Sequence, residues 1–182
     1  MPDLSPPLPV LESERLRLRP MRAGDVDDVF ALYRSPEVTR YWSFPAWTHV
    51  DQARERFAGA LAGHDPARLL CWAVADADSD RLIGGITLFA INLEQGRAEI
   101  GYALHSSQWG RGHARNVLGK VLDHAFGPLG LRRIEADIDP RNAASCRVLE
   151  KAGFAKEAHF RGNEWLKGAW ADDAVYARLR DG

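Results

Sequence analysis

The chain has 182 residues, enough for one domain with a sizeable core, and its 46% hydrophobic and 27% charged residues are an ordinary globular balance. A net charge of −1 marks no broad surface for nucleic acid or anionic membrane. The longest uncharged apolar run, Leu82 to Leu93, has 12 residues, too short to span a bilayer, and the N-terminus lacks the basic start and apolar stretch of a secretory signal.

Residues 1–9 hold four prolines and little to bury, which predicts a loose arm ahead of a single domain over residues 10–182. Arg15-Leu16-Arg17-Leu18-Arg19 alternates strictly and reads as a strand, with the leucines inward and the arginines toward water or an acidic partner. Val26, Val29, Phe30 and Tyr33 recur at helical spacing after Asp25, and Ser35-Pro36 ends that helix. An aromatic loop follows, Tyr41-Trp42-Ser43-Phe44-Pro45-Ala46-Trp47. Thr48 and Asp51 resemble a helix start, with Ala53, Phe57, Ala60 and Leu61 as its apolar stripe and Gly63 as its stop.

Three strands are expected next, Leu70–Ala75, Leu82–Ile91 and Arg97–Leu104, joined by turns short enough for antiparallel hairpins. Val117, Leu118, Val121, Leu122, Ala125 and Phe126 mark a helix over 113–126, stopped by Gly127-Pro128. Arg132–Ile138 reads as a strand, so strand 97–104, helix 113–126 and strand 132–138 form a βαβ unit whose strands are parallel. Asn142 caps a short helix through Lys151, with Gly153 as its stop, and Phe154–Phe160 and Val175–Leu179 are the last strands. This order predicts an α/β fold of the α+β kind: a mixed, mostly antiparallel sheet of six or seven strands with helices on both faces.

Chemistry concentrates at Trp109-Gly110-Arg111-Gly112-His113-Ala114, between a strand and a helix. Gly110 and Gly112 allow close backbone approach, His113 and Ala114 open the helix, and Arg111 adds a cation. Unpaired helix N–H groups and the helix dipole suit an anion there, such as the diphosphate of a cofactor. Gly101, inside a strand, marks a bulge, a close approach or tight packing. The six histidines (49, 64, 105, 113, 124 and 159) show no paired spacing for zinc, and no metal site is expected. Two cysteines far apart, Cys71 and Cys146, point to a reducing, cytoplasmic compartment, with a single bridge left open.

Four blocks in order resemble the Gcn5-related N-acetyltransferases (GNAT), in the branch of the RimJ/RimL-like ribosomal-protein N-terminal acetyltransferases. These are Glu14-Arg15-Leu16-Arg17-Leu18-Arg19-Pro20; Ala98-Glu99-Ile100-Gly101-Tyr102; the glycine turn; and Asn142, Ser145, Lys151, Ala152, Gly153 and Phe154 in an N-x-x-S…K-x-G-F segment. Together they cover nearly the whole chain after the arm. One departure stands out: the family's turn reads Q/R-x-x-G-x-G/A, and here Trp109 occupies the first position. Its side chain offers phosphate neither an amide nor a guanidinium, so binding falls to backbone N–H groups.

The resemblance implies acetyl-CoA as co-substrate and no metal. It implies a parallel central strand pair that splays to admit the pantetheine arm, with exposed backbone groups from Tyr102 and Leu104. The remaining cofactor contacts are Trp109, Gly110, Arg111, Gly112, His113, Ala114, Asn142 and Lys151. Glu99 resembles the base that takes the amine's proton, or is a structural partner of Arg97. Ser145 resembles the donor that stabilises the departing thiolate, or satisfies the helix start. Tyr41 and Trp42 line the acceptor groove, whereas Trp47 packs over the core or joins them. Asp172 and Tyr176 resemble the branch's final D-x-x-x-Y, where Asp172 attracts a cationic acceptor or braces the last hairpin. Cys146 is expected to be buried or neutral. The acceptor is an amine, either a protein N-terminus or a small molecule. The rival reading is a non-catalytic acyl-CoA sensor, and a homodimer stays open.

Overall fold

The computed structural model describes residues 8–61 and 69–180. The side chains of Phe57, Ala60 and Leu61, and Gly63 itself, fall outside the described residues. Eight strands form one sheet in the order β1-β2-β3-β4-β5-β6-β8-β7: β1 (Leu11–Glu12), β2 (Leu16–Pro20), β3 (Leu69–Asp76), β4 (Leu82–Asn92), β5 (Arg97–Leu104), β6 (Arg133–Ile138), β7 (Ala155–Leu166) and β8 (Ala169–Leu179). Every neighbouring pair is antiparallel except β5–β6. Helices α1 (Val26–Tyr33), α2 (Pro36–Thr39), α3 (Asp51–Leu61), α4 (His113–Phe126) and α5 (Ala143–Lys151) complete the chain. No helix among the described residues is long and apolar enough to cross a membrane.

Two apolar clusters cover the two faces of the sheet. On one, Leu18, Trp72, Val74, Ile86, Leu88, Ile100 and Ile134 pack against Val117, Leu118, Val121, Leu122 and Ala125 of α4 and Leu149 of α5. On the other, Cys71, Ala73 and Ala103 pack against Val29, Leu32 and Tyr33 of α1 and Ala53 of α3. Even and odd residues of β3 therefore serve opposite cores, which is why its run from Leu70 to Ala75 is buried throughout. Each large aliphatic side chain buried in this way stabilises the fold by roughly 1.5–3 kcal/mol relative to exposure.

The sheet has eight strands where six or seven were expected, because a two-residue strand such as β1 carries no readable period. The last hairpin also runs further than expected. Leu166 pairs with Ala169 across a turn of Lys167 (φ +50°) and Gly168 (φ +83°), so both central residues are left-handed, as a type I′ turn demands. Lys-Gly is a weaker hairpin signature than Asn-Gly, and the strands beside it are exposed, so no apolar alternation announces them. α2 begins at Pro36, whose missing N–H is harmless at a first helical position. Residues 1–7 of the expected arm lie outside the described residues; of its last two, Leu8 is buried in the core, and Pro9 O accepts from the Trp72 indole Nε1 at 2.9 Å.

Arg19 corrects the expectation of a solvated arginine face. It is 2% exposed and forks onto Asp25 at 2.7 and 2.9 Å, with Asp80 Oδ1 at 3.0 Å. The acidic partner prevails because a buried guanidinium needs its charge and its donors answered together.

Candidate active site

The site arises where β5 and β6 part. Their parallel register runs through Arg97–Arg133, Ala98–Ile134 and Glu99–Glu135 and stops there, although β5 continues to Leu104 and β6 to Ile138. His105 N donates to Ile83 O on the β4 side, so by antiparallel alternation Tyr102 and Leu104 turn their backbone groups toward the open edge. A cleft of about 640 Å³ occupies this gap and is lined from both faces of the sheet. Tyr102, Asn142, Ser145 and Leu149 line it from the α5 side, while Glu99, Gly101, Asp137 and Asp173, with Tyr41 and Trp42, line it from the α1 side.

On the α5 side, Asn142 is the helix cap, its Oδ1 accepting from Ser145 N at 3.2 Å. That frees the Ser145 hydroxyl from the helix start, and it lies 2.7 Å from Tyr102 Oη. Burial is the first cause that pushes the Tyr102 phenol up to about 12. Sequence reasoning assigned Tyr102 only a backbone role, and this side-chain contact adds a second. Cys146 is half-buried and free, with Sγ 4.0 Å from Pro140 O.

On the α1 side, burial raises the Glu99 carboxyl above its usual range, and Glu135 adds to this while Arg97 opposes it. Among the described residues Glu99 forms no ion pair within bonding distance, so the structural pairing with Arg97 is absent. Asp137 is raised further, to about 6, first by burial and then by Asp173, Glu99, Glu135 and Glu164. The clustering follows from strand geometry. Glu135 and Asp137 are two apart on β6 and share a face, in register with Glu99 across the parallel pair. Asp137, Asp173 and Glu164 were not singled out from the sequence, although the Glu-Ala-Asp alternation of β6 was the available signal.

Asp172 lines the cleft and braces the hairpin: its carboxylate accepts from Gly162 N at 2.9 Å and pairs with His159 Nε2 at 2.8 Å. Tyr176 is buried in the core. Trp47 is buried too, whereas Tyr41 and Trp42 are half-buried at the cleft. Trp42 meets Tyr33 edge-on at 5.3 Å between ring centroids. Gly101 carries no bulge. It pairs regularly with Thr87, and the irregularity lies further along β4, between Phe89 and Asn92 opposite Glu99 and Arg97, with Ala90 at φ +49°. A side chain at Gly101 would meet only the Phe89 ring, at 3.6 Å.

The glycine turn stands apart from the cleft, exposed, at the start of α4. Gly110 has φ +72° and Gly112 φ +80°, with nothing within 4 Å of an added Cβ. Their conformation, rather than crowding, requires glycine. Gly112 is the helix cap and no side chain caps it, so the first N–H groups of α4, from His113 and Ala114 on, point outward. Arg111 is exposed beside them. Burial, then Arg111 and Arg15, hold His113 below its usual value.

Trp109, the departure from the family pattern, donates its indole Nε1 to Leu104 O at 2.9 Å. The indole takes one lone pair of the Leu104 carbonyl, and the Leu104 N–H faces the open edge. The bond ties the turn to the end of β5. Lys151 does not line the cleft. It is exposed in the last turn of α5, about 12 Å along the axis from the Asn142 end. Among the described residues no group of three His, Cys, Asp or Glu is arranged to hold a metal ion.

The family model of the acetyltransferase (GNAT) domain matches residues 15–155. The uncharacterized N-acetyltransferase YoaA of Bacillus subtilis (strain 168) is 36% identical over 172 residues, covering 94% of this chain and 97% of YoaA. A solved spermidine N-acetyltransferase from Vibrio cholerae, in complex with CoA and spermine, superposes with a TM-score of 0.80 at 26% identity, covering 92% of this chain and 96% of that one. RimL, a ribosomal L7/L12 α-N-protein acetyltransferase solved with coenzyme A, shares the fold at a TM-score of 0.84 and 23% identity, covering 95% and 99%. With a sheet that opens at its parallel pair and a glycine-cornered start to the helix that follows β5, the chain belongs to the GNAT family and is an N-acetyltransferase whose co-substrate is acetyl-CoA.

Proposed function

We propose that the acceptor is a small amine carrying more than one positive charge, acetylated by direct attack on the thioester. The carrying observation is the charge of the cleft. Among the described residues six carboxylates line it (Glu99, Asp137, Asp139, Glu164, Asp172 and Asp173) against one guanidinium, Arg56, in a chain whose net charge is only −1. Asp139 is answered by Arg141 at 2.6 Å and Asp172 by His159, which leaves Glu99, Asp137, Glu164 and Asp173 as the acidic wall. A cationic amine relieves the mutual repulsion that adds to burial in raising Asp137. The aromatic faces of Tyr41 and Trp42 favour the same charge. The Vibrio cholerae relative solved with CoA and spermine supports this class of acceptor. On this reading the RimJ/RimL-like blocks describe the chain's scaffold rather than its acceptor.

The two substrates meet through the sheet. The diphosphate rests on the amides of residues 110–114 with Arg111 beside it, and the pantetheine arm follows the open edge of β5 past Tyr102 and the Leu104 N–H to Asn142. The amine enters from the α1 side and reaches the thioester carbonyl in the gap. Glu99 takes its proton, directly or through water, and a backbone N–H of β5 stabilises the developing oxyanion. Ser145 donates to the departing sulfur. The protein supplies position and electrostatics, while the thioester supplies the activated acyl group.

The test is thiol release from acetyl-CoA across a panel of di- and polyamines, amino acids and peptides with free N-termini. The expected result is the highest kcat/KM for polyamines, falling steeply with salt because the attraction is Coulombic. Preference for peptides of low charge would overturn the acceptor assignment. CoA binding without release from any amine would favour the sensor instead.

A further inference from the structure

A serine in the first turn of a helix ordinarily folds its hydroxyl back onto unpaired N–H groups. In α5 Asn142 already does this, with Oδ1 accepting from Ser145 N at 3.2 Å. The Ser145 hydroxyl meets Tyr102 instead, Oγ to Oη at 2.7 Å. The two come from elements far apart in sequence: Tyr102 lies on β5 beyond its last pair with β6, and Ser145 lies on α5. Both line the cleft. A hydroxyl has one proton and two lone pairs, so the direction of this bond decides where the serine proton points. The phenol is the more acidic of the two hydroxyls and therefore the better donor. Held up at about 12 by burial, it keeps its proton at neutral pH.

We propose that Tyr102 is a positioning residue for the leaving group: its phenol donates to Ser145 Oγ and thereby directs the serine O–H at the departing sulfur. This rests on the acetyl-transfer reading above. In the step, the C–N bond forms, the C–S bond breaks, and sulfur leaves with the bonding electron pair. The Ser145 O–H stabilises that charge, and the bond from Tyr102 polarises the O–H and strengthens its donation. Both residues keep their own protons. The amine's surplus proton leaves through Glu99, and solvent protonates the thiolate.

Tyr102→Phe keeps the ring and removes the donor. Steady-state kinetics with acetyl-CoA and a polyamine, beside Ser145→Ala and the double variant, test the pair, with CoA affinity and thermal unfolding measured on each. Tyr102→Phe is expected to lower kcat roughly tenfold, the loss of one directed hydrogen bond, while KM for both substrates and CoA affinity stay within about twofold. The double variant is expected to be no slower than Ser145→Ala alone, because the two act as one unit. An unchanged kcat, or a loss that multiplies through the double variant, overturns the inference; should Tyr102→Phe not fold, a Ser145→Ala variant with the parent kcat overturns it equally. A parent protein that acetylates no amine in the panel overturns the reading beneath it, whereas an active parent matched by Tyr102→Phe overturns this inference alone.

Discussion

Glu99 shows how much a single side chain owes to its neighbours. Its carboxyl is raised by burial and by Glu135, with Arg97 in partial opposition. A base works only in its deprotonated form, so kcat/KM should climb as pH rises through that raised value. Glu99→Gln removes the proton acceptor while keeping size and polarity. It is expected to lower kcat about a hundredfold and to flatten the acidic limb of the pH–rate profile. A parent-like rate and profile in initial-rate measurements would remove Glu99 from the chemistry. Glu99, Ser145 and Asn142 were legible as candidates because each sits at a recognisable place on a strand or helix start, and all three line the cleft. Two other expected cofactor contacts depend on features that the sequence did not show. The carbonyl of Leu104 accepts from an indole five residues on, and Lys151 is carried away by the length of its own helix.

Among the elements, the link from β5 to α4 combines two devices. Trp109 fastens the turn to the end of β5, and the left-handed Gly110 and Gly112 aim the helix N–H groups outward. Gly112→Ala tests the second device cleanly, since an added Cβ meets nothing within 4 Å and only φ +80° is disturbed. The strain of a left-handed alanine is about 1–2 kcal/mol, so a modest fall in Tm and a roughly tenfold or greater loss of CoA affinity by calorimetry are expected. Unaltered affinity would mean that the diphosphate does not use this turn. The β7–β8 hairpin is the element least legible in the sequence. β7 is exposed along nearly all its length and has no apolar period, and the hairpin tip is held from elsewhere: Lys167 Nζ donates to Thr39 O at 2.5 Å and to Arg40 O at 3.2 Å. Glu164 and Leu166 of this hairpin line the cleft together with Tyr41 and Trp42.

At the scale of the whole molecule, function has a cost in stability. Asp137 titrates at about 6 in the folded protein, against an ordinary value of 3.8. The folded state therefore holds this proton more tightly than the unfolded chain. The stability tied to it is intact below the unfolded value and lost as pH rises through about 6. Asp137→Asn is expected to raise Tm at about pH 8, with the gain shrinking as the pH is lowered through that range, and to weaken polyamine binding at the same time. An equal Tm at both ends of the pH range would show that the acidic wall carries no strain. By itself the sequence determined what local chemistry encodes: the periods of strands and helices, the caps, the glycine turn, and through four ordered blocks the family. Only the tertiary structure decided where β5 and β6 separate, that Tyr102 meets Ser145, that Arg19 is buried, and that carboxylates from β5, β6, β7 and β8 share one wall. Those facts depend on register and on contacts between residues tens of positions apart, whereas a period or a cap is complete within a single turn or strand.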